Sequence, residues 1–296
     1  GRETDRREDR EGGKEKHASG GATVTPIEIR ASALRSHALL SALSLISVLP
    51  LYWMFVTALR APNAIFSTTP WPDEPTLANF AYILDGVPIL RMLWNTLVVA
   101  TLTTAAQLTT AVLAAYAFAR WRNRWSQALF ALLTVTWLIP AQVVMVPGYL
   151  LVTRLDLLDT LAGLVIPHAA SAFAIIVLYQ TLRVFPRELI EAAVVDGAGH
   201  VRILRALIVP NIKPALASLG ILLFISSWND YFWPLLVTRS QDSAVIQIGL
   251  QMFMTQEGNQ WGPLMAASSL ASLPLLAIYL VLQKRVVDSF LRSGLK

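Results

Sequence analysis

An all-α integral membrane protein with six transmembrane helices is the fold this sequence predicts, and three observations carry it. Hydrophobic residues make up 55% of the 296 positions and charged residues only 15%, well below the roughly 25% charged of soluble domains. Six long stretches carry almost no formal charge. The basic residues between those stretches fall mainly on alternate loops, as expected of a chain that crosses a bilayer repeatedly.

The uncharged stretches cover 36 to 59, 92 to 119, 125 to 153, 160 to 182, 214 to 238 (interrupted by Asp230) and 258 to 283. Each exceeds the roughly 20 residues a helix needs to cross about 30 Å of hydrocarbon. Helices are expected because a backbone in lipid must satisfy its own hydrogen bonds. The first stretch has the basic flank of a secretory signal, but 24 uncharged positions separate Arg35 from Arg60. A signal core is usually about 7 to 15 residues, so a retained helix is predicted. Pro140 and Pro147 are expected to break or bend the third span.

Lysines and arginines set the orientation. Twenty lie on the side of the N-terminus, counting the tail, Arg120 to Arg124, Arg183 to Lys213 and the C-terminal segment; four, Arg60, Arg91, Arg154 and Arg239, lie opposite. Excluding the tail, the ratio is twelve to four. Both termini are therefore expected in the cytoplasm, with the acidic loops outside. The isoelectric point of 9.7 reflects this topology, and no nucleic-acid partner is expected.

Residues 1–34 read as a charged, disordered cytoplasmic tail, because mixed charges and glycine leave nothing to bury. Residues 35–296 read as one six-helix domain. In the first outer loop, "LANFAYIL" predicts a short interfacial helix. The sequence has no GxxxxGK[ST], HExxH, GxSxG or CxxC pattern and no cysteine, so catalytic and metal-binding residues are assigned to none. His17, His37, His168 and His200 lack metal-ligand spacing. His168, within the fourth span, reads either as a proton relay or as a neutral hydrogen-bonded side chain between helices.

The charged island at 185–210 predicts two short helices around a turn. Pro186 starts the first, with Leu189, Ile190, Ala193 and Val194 at helical spacing. Asp196-Gly197-Ala198-Gly199 supplies the turn. The second carries Val201, Leu204 and Ile208 as an apolar stripe and ends near Pro210. Helices this short need a docking surface. One candidate is lipid at the inner leaflet; the glutamates and the specified turn suit a protein partner better.

The stretch "EAAVVDGAGHVRILRALIVP" resembles the EAA loop of ATP-binding-cassette importer permeases: Glu191, Ala192, Ala193, Gly197, Leu207, Val209 and Pro210 fall on the pattern's positions. "WNTLVVA", "AAYAFAR", "VPGYLL", "SWNDYFWPLLVT" and "QKRVVDSFLRSGLK" resemble the second permease subunit of carbohydrate-type importers, the maltose and glycerol-3-phosphate group. The likeness covers roughly 35 to 296. It implies a type I importer permease architecture with a cytoplasmic coupling helix in the bacterial plasma (inner) membrane. Implied partners are a second, different permease subunit, two ATP-binding subunits and an extracytoplasmic solute-binding protein. ATP and Mg would sit on those ATPase subunits, with no cofactor on this chain. Glu191, Ala192, Ala193, Asp196, Gly197, Gly199 and Pro210 would couple to the ATPase, whose closure drives alternating access.

A substrate path is sought among polar residues of the spans. Asn229 and Asp230 with Tyr231 in the fifth, and Asn95 and Gln107 in the second, are the candidates, with Gln142 in the third. Aromatic faces beside Asn and Asp suit sugar hydroxyls; an interfacial aromatic belt explains the same fifth-span residues, and interhelical hydrogen bonds explain the others. A permease for amino acids or other polar solutes, and a secondary transporter or membrane-embedded enzyme, are the alternative functions.

Overall fold

The computed structural model describes residues 26–255 and 258–294. They divide into two compact units between Tyr52 and Trp53. The first is described from Pro26, where helix α1 (Pro26–Ala58) begins. This start lies within the predicted tail, and proline suits a first helical position because its missing N–H is not needed there. The tail itself, 1–25, lies outside the described residues. From Ser36 onward the unit's side chains are exposed and mainly apolar. The Ser44 and Ser47 hydroxyls donate to the carbonyls of Leu40 and Leu43, which satisfies them within the helix.

The second unit is organised around helix α3 (Ile89–Arg120). It packs most extensively against α7 (Ala172–Arg183) and α11 (Lys213–Trp228). Small residues allow this: Ala100, Ala111 and Ala115 of α3 and Ala174 of α7 are fully buried. Lipid offers apolar side chains no less favourable an environment than a helix does, so close approach and interhelical hydrogen bonds hold such bundles together. Helix α14 (Trp261–Gly294) packs on α11 and on the short helices α2 (Ala78–Gly86) and α13 (Ile246–Gln251).

Among the described residues three helical segments are long and apolar enough to cross a membrane without interruption: Ser36–Ala58, Ile89–Arg120 and Trp261–Val281. Three further candidates are bent pairs, giving up to six spans. In the third predicted span, α4 (Arg124–Trp137) and α5 (Ala141–Arg154) meet at 101°. The break falls at Pro140, whose ring disfavours helical angles at Ile139; Pro147 lies inside α5, which continues through it. The fourth comprises α6 (Leu161–Val165), a 3-10 turn (Ile166–His168) and α7, bent by 43°. The fifth differs most from the prediction. The bent pair here is His200–Asn211 with α11, meeting at 81°; α11 then ends at Trp228, and α12 (Phe232–Val237) resumes after Asn229-Asp230-Tyr231.

The ends away from the arginine-rich loops are closed by polar anchors. Arg60 is 1% exposed, donates to the carbonyls of Ser67 and Thr69, and lies 5.0 Å from the Trp53 ring centre. Asn79 donates from its amide to the carbonyls of Ala58 (2.9 Å) and Arg60 (2.8 Å). The short helix predicted at LANFAYIL is thus present as α2, and it is tied to the rest of its unit by one buried face, Asn79 and Ile83. Between the loops around 156 and 240, the Asp159 carboxylate accepts from the Ser243 hydroxyl and from the N–H groups of Arg239 (2.8 Å) and Ser240 (2.9 Å). These bonds, the serine hydroxyl foremost, hold its pKa below the ordinary carboxylate range, so this anchor stays ionised at neutral pH. A two-residue antiparallel pairing, β1 (Met254–Thr255) with β2 (Gly258–Asn259), precedes α14.

Candidate functional sites

Breaks in the spans make room. A cavity of about 900 Å³ lies among α3, α5, the α6–α7 bend, α11 and α12. Its wall mixes Thr96, Thr103, Gln107, Ser171, Ser226 and Ser227 with the aromatic residues Trp137, Phe173, Trp228 and Trp233. Among the described residues His168 and Asp230 are its only titratable lining groups, with no lysine or arginine in the lining. The Trp233 indole N–H donates to the Gly163 carbonyl (3.1 Å). Its ring is met by the His168 ring edge-on at 5.3 Å, and it lies so near Gly148 that a Cβ there would come within 3.2 Å of it. A side chain is therefore locked into the wall by packing from three sides.

The predicted path residues separate in this geometry. Asp230 and Gln107 line the cavity. The Gln107 amide also donates to the His168 carbonyl (2.9 Å), so it holds the α6–α7 bend against α3. Asn95 does not line the cavity: it is buried, and its amide donates to the carbonyls of Asp242 and Ala244, both at 2.9 Å. Asn229 lies off the wall, donating to the Ile225 carbonyl (2.8 Å) at the end of α11. Tyr231 packs edge-on against Phe232, and Gln142 is exposed, outside the lining. Ser226, Ser227, Thr96 and Thr103 were not singled out by sequence. Two adjacent serines in a largely apolar α11 were the available signal.

The second site is the 185–210 loop. Helix α8 (Arg187–Val195) ends in a Schellman motif: Ala198 N–H donates to Ala193 O (2.9 Å) and Gly197 N–H to Val194 O (3.0 Å). Gly197 has φ of +76°, the left-handed conformation this closure demands. A Cβ there would meet nothing within 4 Å, so backbone angle and not crowding calls for glycine. Gly199, with φ of −69° and ψ of 160°, adopts a conformation open to any residue. Ala193 and Ala198 both pack on the core, joined by Ile190.

The chain then forms α9 (His200–Arg202), a π-helical turn (Ile203–Ile208) and α10 (Val209–Asn211). A π turn carries i to i+5 periodicity, and Ile203 and Ile208, five apart, are each 1% exposed. This shifts the stripe: Leu204 and Ile208 are buried as predicted, whereas Val201 is exposed. The helix ends at Asn211, one residue past Pro210 and close to the predicted end, and the chain bends by 81° into α11. Tyr116 Oη lies 3.0 Å from His200 Nδ1, with the Trp121 ring against His200 at 5.4 Å. The loop is thereby fastened to α3.

The loop's other face is open. Leu189, Val194, Val195 and Val201 are exposed around Asp196 and Gly197. Glu191 lines a small recess with Arg120, Arg122 and Arg187, close to its own chain's basic groups.

A bent-helix bundle enclosing a polar and aromatic cavity, with an apolar-faced hairpin at its arginine-rich end, defines a membrane translocation subunit. Residues 107–292 match the family described as the binding-protein-dependent transport system inner membrane component, and the chain belongs to that family. It is 32% identical over 273 residues to the sn-glycerol-3-phosphate transport system permease protein UgpE of Rhizobium meliloti (strain 1021), covering 88% of this chain and 97% of that protein. It is 27% identical over 270 residues to the lactose transport system permease protein LacG of Rhizobium radiobacter, covering 91% and 99%. Among solved structures, a bacterial ABC transporter involved in import of the acidic polysaccharide alginate contains a chain that superposes with a TM-score of 0.76 at 24% identity, covering 86% of this chain and 96% of that one. The fold is that of an ABC importer permease.

Proposed function

We propose that this chain is one of two different permease subunits of an ATP-driven importer, and that its cavity forms half the pathway for a sugar or sugar-like solute. The cavity carries the reading: hydroxyl and amide groups beside aromatic faces, without a fixed cation, suit a polyhydroxylated solute. The relatives' transport of lactose and glycerol-3-phosphate supports it. An extracytoplasmic binding protein delivers the solute. Two ATPase subunits bind ATP and Mg and hydrolyse ATP in trans. Glu191, Ala192, Ala193, Asp196, Gly197, Gly199 and Pro210 belong to the hairpin that docks on one of them, where the exposed Leu189, Val194, Val195 and Val201 await a partner surface. Asp230 and Gln107 meet the solute directly.

Two measurements test this. Purified with co-expressed second-permease and ATPase subunits and reconstituted with loaded binding protein, the chain should support ATP-dependent accumulation of a sugar and no uptake without ATP. Uptake driven by an ion gradient alone would replace the importer reading with a secondary carrier.

The proposed orientation places both termini in the cytoplasm of a bacterium, with the arginine-rich loops inside. The chain has no cysteine, so single cysteines at Ser67, Asp156 and Ser240 should react with an impermeant reagent in intact cells, and those at Ser126 and His200 should not. The reverse pattern would invert the topology and leave the hairpin unable to meet a cytoplasmic ATPase.

A further inference from the structure

The cavity among α3, α5, the α6–α7 bend, α11 and α12, taken as the sugar pathway on which this inference rests, also limits the charge of what it can hold. Among the described residues no lysine or arginine lines it, and Asp230 and His168 are its only titratable groups. The two lie within electrostatic reach of each other, so any positive charge on His168 is already offset by Asp230. An ionised Asp230 repels a phosphate or carboxylate, and a protonated one still offers it no counter-charge. An anion taken out of water without a partner is strongly disfavoured.

The arginines opposite the arginine-rich loops do not serve the cavity. Arg91 pairs with Asp242 at 2.6 Å, Arg60 donates to the carbonyls of Ser67 and Thr69, and Arg239 donates to the Tyr149 hydroxyl at 3.2 Å. Arg154 closes the last turn of α5, exposed and outside the lining. What the wall offers is neutral. Thr103 lines it at 3% exposure, and its hydroxyl has no partner among the described residues, whereas the Thr96 and Thr109 hydroxyls of the same helix each donate to the carbonyl four residues back. An unpaired buried hydroxyl is costly, and a sugar hydroxyl would satisfy it. The volume of about 900 Å³ is near the top of the roughly 300–1,000 Å³ of small-molecule sites, which leaves room for a disaccharide. Likeness leaves the charge open, since the similar proteins are named for neutral lactose and for two anions, glycerol-3-phosphate and the acidic polysaccharide alginate. We propose that the solute is an uncharged sugar, and that Asp230 is the residue that bars its anionic analogues.

The test uses the purified importer complex, both permeases with the ATPase subunits, without binding protein, so that only the membrane pathway selects. Equilibrium dialysis measures binding of radiolabelled neutral mono- and disaccharides, each beside its own phosphate ester or uronate. At least one neutral sugar should bind, with its anionic counterpart at least about tenfold weaker, as for a juxtaposed like charge. Asp230→Asn keeps the size and a hydrogen-bonding group while removing the charge, so the ratio should narrow to about threefold; a loosened fold would weaken both members alike. Equal or tighter binding of the anionic members would overturn the charge selection and leave the sugar pathway standing. An unchanged ratio in Asp230→Asn would overturn the role given to that residue. Binding of no sugar, neutral or anionic, would overturn the sugar pathway itself and the charge selection with it.

Discussion

Gly197→Val should leave the permease inserted at normal abundance while abolishing stimulation of ATP hydrolysis by loaded binding protein. The φ of +76° at this position costs a residue with a Cβ about 1–2 kcal/mol, and a β-branched residue bears it worst. The Schellman closure then opens, releasing the Ala193 and Val194 carbonyls from their partners. Because the core beneath is built from Ile190, Ile203, Leu204 and Ile208, the hairpin stays attached to the bundle while its exposed tip changes shape. Gly199→Ala provides the contrast. Its backbone is extended and its surroundings are open, so coupling should be close to normal. The measurement is binding-protein-stimulated ATPase activity of the reconstituted complex at matched permease content. Equal loss in both variants, or normal stimulation in Gly197→Val, would remove the turn geometry from the coupling mechanism.

Asp230→Ala should lower solute uptake about tenfold or more with assembly intact, as expected when a hydrogen bond to a charged group worth roughly 1.5–3 kcal/mol is lost. Asn229→Ala, one residue earlier, should have a smaller effect, because that amide satisfies the Ile225 carbonyl at the end of α11 and does not line the cavity. Uptake and basal ATPase activity measured on the same preparations separate a path defect from a folding defect. If Asn229→Ala proves the more damaging of the two, the α11–α12 break acts as a structural joint and Asp230 is not a solute ligand.

Much of the helical layout was legible because charge is expensive in lipid. The uncharged runs near 36–59, 92–119 and 258–283 correspond closely to Ser36–Ala58, Ile89–Arg120 and Trp261–Val281. The hairpin was legible for a different reason, since Pro186 and the Asp-Gly turn act locally. What hydropathy could not reveal were the breaks within spans. A window average is blind to the unwound Asn229–Tyr231 segment, and it sees no difference between Pro140, where the chain turns by 101°, and Pro147, which a helix absorbs. The cavity depends on those breaks, so its lining was only partly foreseen. Asn95 illustrates the ambiguity: a polar residue in an apolar span suits a solute path or a structural bond equally, and only tertiary placement against the 242–244 backbone decides for the latter.

The π turn at Ile203–Ile208 makes chain length itself a mechanical dimension. A single wide turn stores one residue beyond the α-helical count, so the hairpin tip and the core-packed face of Ile203, Leu204 and Ile208 are phased by an odd residue, like two cranks keyed to one shaft. Removing that residue to give a regular helix would rotate everything before it by about 100°, carrying His200 away from Tyr116 and swinging the Gly197 turn to another bearing. The spacing between Gly197 and Pro210 therefore behaves as a timing interval between the bundle and whatever grips the hairpin, set by counting residues and independent of which side chains fill the interval.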